Sequence, residues 1–313
     1  MNENSSILNT QNTTITLEEA RKSVYQMNLI DDFLLTCLLT DEESGKEAAR
    51  IILSALLNRN IRVVDVTSQK VFNGIHKDMR GIRLDAYIHA AEEDHTENAD
   101  IYNIEAETRY ADKRILPQRS RYYSSLIDVH HLKTGTVFDN LPKLVIIMIL
   151  SYDPFDAGDL YYEASTKLIT HPKIPYDDGI RRLYFYTDGN CNIPEAEGGS
   201  RISDMIRYIQ NSHEESVINP DIRDLDNIVS RVRQREEVSI KYMQSWEREA
   251  ILVKETTERV RAEVTDNDAH IYVRGMRKRG ASDAEIAQDL VEEFGLSDEK
   301  AHQLLEEPAA PVH

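Results

Sequence analysis

GIRLDAYIHA (residues 81–90) and IYNIEAETRYADKR (101–114) are the two stretches on which the fold turns. In the first, Ile82, Leu84, Ala86 and Ile88 alternate onto one face, which leaves Arg83, Asp85 and Tyr87 on the other. In the second, Tyr102, Ile104 and Ala106 form the apolar face and Asn103, Glu105 and Glu107 the polar one. Two such strands side by side, sharing their buried face, bring Asp85, Glu105 and Glu107 out together on the opposite face. Carboxylates at strand spacing repel one another unless a cation sits among them, and Mg²⁺ suits oxygen donors of this kind. Such an ion polarises a phosphoryl oxygen and lowers the pKa of an attacking water. The competing account is a solvated outer face of an antiparallel sheet. The next segment carries five basic residues, Arg109, Lys113, Arg114, Arg119 and Arg121, against one acid, Asp112. That island suits a polyanion held at a metal, with Arg119 and Tyr123 one helical turn apart, although surface ion pairs would use the same residues.

Outward from this pair, Asp32 opens an apolar helix, DFLLTCLL. The Thr40/Glu43 capping-box pair predicts a second helix burying Ala48, Ile51, Ile52, Ala55 and Leu56. Strands are expected at 62–72, 82–90, 101–108, 143–151 and 181–187. Pro117 is placed to start a helix that ends before Gly135. KLVIIMILSY (143–152) shows no polar alternation and reads as a central strand covered on both faces. The order is that of a mixed α/β domain.

Composition limits the alternatives. The 313 residues suggest about two domains. A net charge of −18 argues against nonspecific adhesion to nucleic acid or anionic lipid, because basic residues displace counterions from phosphates. The longest apolar run, Leu144 to Leu150, is far short of the roughly 20 residues that cross a bilayer, and the polar start lacks a signal pattern. No membrane partner and a cytoplasmic location are expected. Cys37 and Cys191 are too far apart for a disulfide framework or a zinc finger. His76, His130 and His131 lack a second ligand at helical spacing and read as surface or hydrogen-bonding residues. Phosphate-loop, dinucleotide and serine-hydrolase motifs are missing.

In the second half a stripe runs Leu225, Val229, Val232, Glu236, Ser239, Met243, Trp246, Ala250, Val253, Thr257, Val260, Val264. It fits either a long helix packed back on its own domain or self-association as a homodimer through a coiled coil. Further on, Ser282 with Glu285 caps one short helix and Ser297 begins another. The pair is helix-turn-helix-like, preceded by Arg274, Arg277, Lys278 and Arg279, though a plain helical hairpin has the same pattern.

The runs DDFLLTCLLTDEE (31–43), GIRLDAY (81–87), YNIEAET (102–108), QRSRYYSSLID (118–128) and ILSYDPFDAGDLYYE (149–163) together resemble the PD-(D/E)xK nuclease family transposases, relatives of the recombination-promoting nucleases found mainly in bacteria. The resemblance covers roughly residues 28–190. It implies a restriction-endonuclease-like αβββαβ core with a mixed sheet, followed by an all-α C-terminal region. The division expected is a flexible N-terminus (1–27), a nuclease-like domain (28–190), a long heptad helix region (200–266) and a small helical segment (271–307).

The activity implied is endonucleolytic hydrolysis of DNA with Mg²⁺ or Mn²⁺, associated with recombination or mobile elements. Asp85 matches the motif aspartate and Glu105 the (D/E) position, both as metal ligands, with Ala106 offering its carbonyl. Asp32 matches an acidic residue of the first helix, and Arg119, Arg121 and Tyr123 match the RSRYY block. Glu107 stands where the motif has lysine. A lysine there orients the attacking water and steadies charge on the phosphate, whereas a carboxylate adds repulsion. Relatives often carry Gln here. Glu107 would bind a second metal, act as a base through water, or mark a decayed core that serves as a non-catalytic DNA-binding or assembly protein.

Overall fold

The computed structural model describes residues 14–74, 76, 78–92, 99–108, 113–132, 135 and 137–306. Two compact units appear, one of them Thr16–Tyr242 and the other carrying the chain from Met243 onward. The helices of the first unit are α1 (Leu17–Gln26), α2 (Asp32–Leu39), α3 (Gly45–Leu56), α4 (Leu116–His131), α5 (Gly199–Gln210) and α6 (Pro220–Gln234). Its strands are β1 (Ile61–Phe72), β2 (Ile82–Glu92), β3 (Asp100–Glu107), β4 (Leu144–Leu150), β5 (Tyr161–Ala164) and β6 (Ile180–Tyr186). They form one mixed sheet in the order β1-β2-β3-β4-β6-β5. β1, β2 and β3 are an antiparallel meander, β3, β4 and β6 run parallel, and β5 closes the edge antiparallel to β6.

The alternation read from the sequence sorts most of the core into two layers, with one correction. Ile82 and Leu84 lie on the α4 side with Phe72 and Tyr87, while Ala86 and Ile88 face the other layer. The single apolar face expected of β2 therefore changes side after Leu84, opposite Gln69 of β1, whose φ of 49° interrupts the neighbouring strand. Ala86, Ile88 and Ala90 of β2, Tyr102, Ile104 and Ala106 of β3, and Val145, Ile147 and Ile149 of β4 pack against α2, α3, α5 and α6. The other face of the sheet meets α4 through Ile101, Leu144, Ile146, Met148, Leu116, Leu126 and Ile127. Every residue of β4 is buried, as its unbroken apolar run requires of a strand covered twice. The predicted burial of Ala48, Ile51, Ile52, Ala55 and Leu56 in α3 is observed, and Pro117 sits in the first turn of α4.

Several expectations are corrected. Residues 17–26 form α1, held by a Thr16/Glu19 capping box and buried through Ala20 and Val24, so the segment up to 27 is not uniformly flexible. The Thr40/Glu43 box does not form. Thr40 donates its hydroxyl to the Thr36 carbonyl, Asp41 accepts from the Ser44 amide and hydroxyl, and Glu43 pairs with Arg235 at 2.7 Å. α3 therefore starts at Gly45, one turn after Thr40. The compact unit also does not end at 190, because α5 and α6 complete the layer over the sheet. Ser212 locks them to the N-terminus: its hydroxyl accepts the Leu29 amide at 2.9 Å and donates to the Tyr208 carbonyl at 2.8 Å.

The heptad stripe is broken in the same place. Leu225, Val229 and Val232 lie on α6 inside this core, α6 stops at Gln234, and Arg235 is extended. α7 (Glu236–Lys278) carries the remainder, with Val260 and Val264 exposed. In the second unit the end of α7, α8 (Asp283–Glu292) and α9 (Asp298–Glu306) share a small core of Ala269, Val273, Ile286, Leu290, Ala301 and Leu304. The Ser282/Glu285 capping box forms as expected. Arg277 of the basic run is spent inside this unit, on Asp283 and the Leu305 carbonyl. Among the described residues no helix is long and apolar enough to cross a membrane.

Candidate active site

The site lies where β2 and β3 part. Their pairing ends at Ala86 opposite Ile104, and side chains take over from the backbone ladder one step further on. The Asp85 carboxylate accepts the Ala106 amide, and Glu105 Oε1 accepts the Asp85 amide at 3.3 Å. On the far side of β3 the Ser151 amide donates to the Glu107 carbonyl. By alternation along a strand, Ala106 turns its own amide and carbonyl toward β2, on the side where Asp85 sits. One local divergence thus gathers two carboxylates and a main-chain carbonyl at one strand end.

This is not a solvated outer face. Glu105 is only 8 % exposed, and α4 covers the side of the sheet on which it lies. Asn103, fully buried two residues earlier on the same face, donates to Glu105 Oε1 at 2.9 Å and fixes its orientation. Burial raises the pKa of Glu105, and the neighbouring charge of Asp85 raises it further. Asp85 is likewise raised, by burial first and then by Asp32. The Ala106 amide and Arg119 pull Asp85 back, and Asn103, the Asp85 amide and Arg119 do the same for Glu105, without restoring an ordinary carboxylate. Two acids therefore share a poorly hydrated place and each resists the ionisation of the other.

Across from them α4 presents Arg119 and Tyr123, four residues apart on one face. Arg119 Nη2 donates to Glu107 Oε2 at 2.5 Å and lies 4.0 Å from Met148 Sδ. The Tyr123 phenol is pushed up to about 12 by burial first and then by the charge of Glu105. Asp32, the first residue of α2, is exposed yet close enough for its charge to act on Asp85.

The remaining predicted residues lie elsewhere. Arg121 is exposed and, two positions from Arg119, points round the helix away from the carboxylates. Lys113 pairs with Asp156 of the loop after β4, and Arg114 is exposed beside it. Arg109 falls outside the described residues. His130 and His131 make hydrogen bonds to the carbonyls of Leu126 and Ile127, and His131 Nε2 meets the Tyr87 hydroxyl at 2.6 Å, as hydrogen-bonding residues do. Asn103 was missed by sequence reasoning. Its signal was an amide in the otherwise apolar and acidic run YNIEAE, at a position the central sheet buries.

Among the described residues no group of three or more His, Cys, Asp or Glu side chains is poised around a metal position, so the candidate donors are two carboxylates and one carbonyl. No family model, no curated protein and no solved structure matches the chain.

Proposed function

We propose that this chain is a divalent-metal-dependent endonuclease that hydrolyses DNA phosphodiester bonds, with Asp85, Glu105 and the Ala106 carbonyl holding Mg²⁺ or Mn²⁺. The observation that carries the reading is the Asp85/Glu105 pair: a half-buried and a buried carboxylate that repel each other and that a cation would relieve, at a point where β2 and β3 separate beside a carbonyl turned toward them. Hard cations of this class take such oxygen donors and keep several waters, which leaves room for a phosphate oxygen. The ion would supply charge stabilisation on the phosphoryl group and a more acidic water.

The protein's own groups do the positioning. Asn103 and the Asp85 amide hold Glu105 in one rotamer, and the Ala106 amide holds Asp85. Tyr123 and Arg119 face the place where the strand's phosphate would lie, and Asp32 stands near enough to assist a second ion. The mixed α/β sheet, with a helix, a three-strand meander, a helix and a parallel strand around the site, is compatible with the core this reading requires. Supercoiled plasmid is the direct substrate. Purified protein is expected to nick it in Mg²⁺ or Mn²⁺ and not in EDTA.

A second reading keeps the core and drops the turnover. Glu107 in place of lysine, tied to Arg119, is the observation in its favour. It predicts no nicking by the natural sequence in any metal, with activity appearing in Glu107→Lys.

A further inference from the structure

We propose that Arg119 is a catalytic residue which supplies, from α4, the positive charge at the reacting phosphate that a lysine at position 107 would have supplied from β3, with Glu107 as its positioning partner. The proposal rests on the nuclease reading above. A glutamate at 107 facing a phosphate is repulsive by itself, and the structure shows what it does instead. Its Oε2 takes one N–H of a guanidinium that comes from the helix across the site, so the position carries a neutralised ion pair with a fixed guanidinium rather than a bare anion.

Three features separate this pair from an ordinary surface bridge. Arg119 and Glu107 are only 25 % and 20 % exposed, so water does not screen them as it does exposed pairs. The pairing uses one edge of the guanidinium. Nη2 bonds Glu107, while Nε is buried without a partner among the described residues, although an arginine carries five donors in a planar fork made for two oxygens at once. Finally, the cation is close enough to pull on the charges of both Asp85 and Glu105, and so faces the same space as the candidate metal donors. A phosphate oxygen entering there meets a half-buried, anchored and partly unspent guanidinium. Arg121 is exposed on another side of the helix and is no substitute.

The test compares full-length wild type with Arg119→Ala, Arg119→Lys, Glu107→Gln and the double variant Glu107→Lys/Arg119→Ala. Cleavage of a labelled duplex in Mn²⁺ gives kcat and KM, anisotropy with the same duplex in Ca²⁺ gives binding without turnover, and melting temperatures report folding. Loss of a preorganised charge donor costs about 10²–10³ in rate, which is the fall in kcat expected for Arg119→Ala, with Ca²⁺-phase binding within about threefold of wild type. Glu107→Gln keeps the acceptor oxygen and should stay within about tenfold, and the double variant should regain at least about tenfold over Arg119→Ala by placing the charge on β3.

Three results would overturn the assignment. One is Arg119→Ala losing duplex affinity while kcat is unchanged, which makes Arg119 a strand grip. Another is a double variant that folds but is as slow as Arg119→Ala. The third is Arg119→Lys at full speed beside a wild-type Arg119→Ala. A wild type that cuts nothing in any metal removes the nuclease reading itself, and this one with it.

Discussion

Glu105→Gln should melt higher than wild type, and by more as the pH rises. The carboxyl is nearly isosteric with the amide that replaces it, and the amide oxygen still accepts from Asn103 and from the Asp85 amide. What disappears is a buried charge beside Asp85. In the folded protein Glu105 has a raised pKa, so the native state holds its proton over a range in which the unfolded chain has released it. Its contribution is therefore fully present below the unfolded pKa and is lost as pH rises through the raised folded value. Glutamine has nothing to lose across that window. In a unit of this size each kcal/mol recovered raises the melting temperature by about 2–4 °C, so we expect a gain of more than about 4 °C near pH 8.5 and little near pH 4. Differential scanning calorimetry across pH checks it, and a pH-independent loss of stability would contradict the expectation that the Glu105 charge is destabilising.

Asp85→Asn should leave the fold standing and remove cleavage. Asparagine can still accept the Ala106 amide, so the splayed strand end survives, but one of the two anionic donors is gone. A fall of on the order of 10³ or more in metal-dependent nicking is expected, equivalent to about 4 kcal/mol of transition-state stabilisation. Plasmid nicking run beside a thermal melt checks both halves. Equal cutting by a cleanly folded Asp85→Asn would refute the assignment of the site.

Much of this was legible in the sequence because the sheet's physics is periodic. The alternation in YNIEAE placed Asn103 and Glu105 opposite Tyr102, Ile104 and Ala106, and the unbroken run in β4 placed that strand in the middle, whereas the single apolar face read in GIRLDAYIHA changes side after Leu84. What periodicity does not carry was missed. The stripe Leu225–Val229–Val232 suits a coiled coil and a core helix equally, and only the break at Arg235, which Asp41 holds at 2.6 Å, assigns it to the core. Thr40 and Glu43 have the spacing of a capping box, but Asp41 and Ser44 between them make a tighter set of bonds. The Arg119–Glu107 pair spans 12 residues and two elements, so no local spacing announces it. Asn103 is invisible to charge counting, since it acts through an uncharged amide that burial alone makes consequential.

The most direct test of the central claim is a titration of Mn²⁺ into the full-length protein by calorimetry near neutral pH, beside Asp85→Asn and Glu105→Gln. One site is expected in the wild type, weakened at least about 100-fold in either variant, together with a wild-type melting temperature that climbs with metal, by about 2.7 kcal/mol of added stability when the ion stands at 100 times its Kd. Undiminished binding in both variants, or none in the wild type, would contradict the claim.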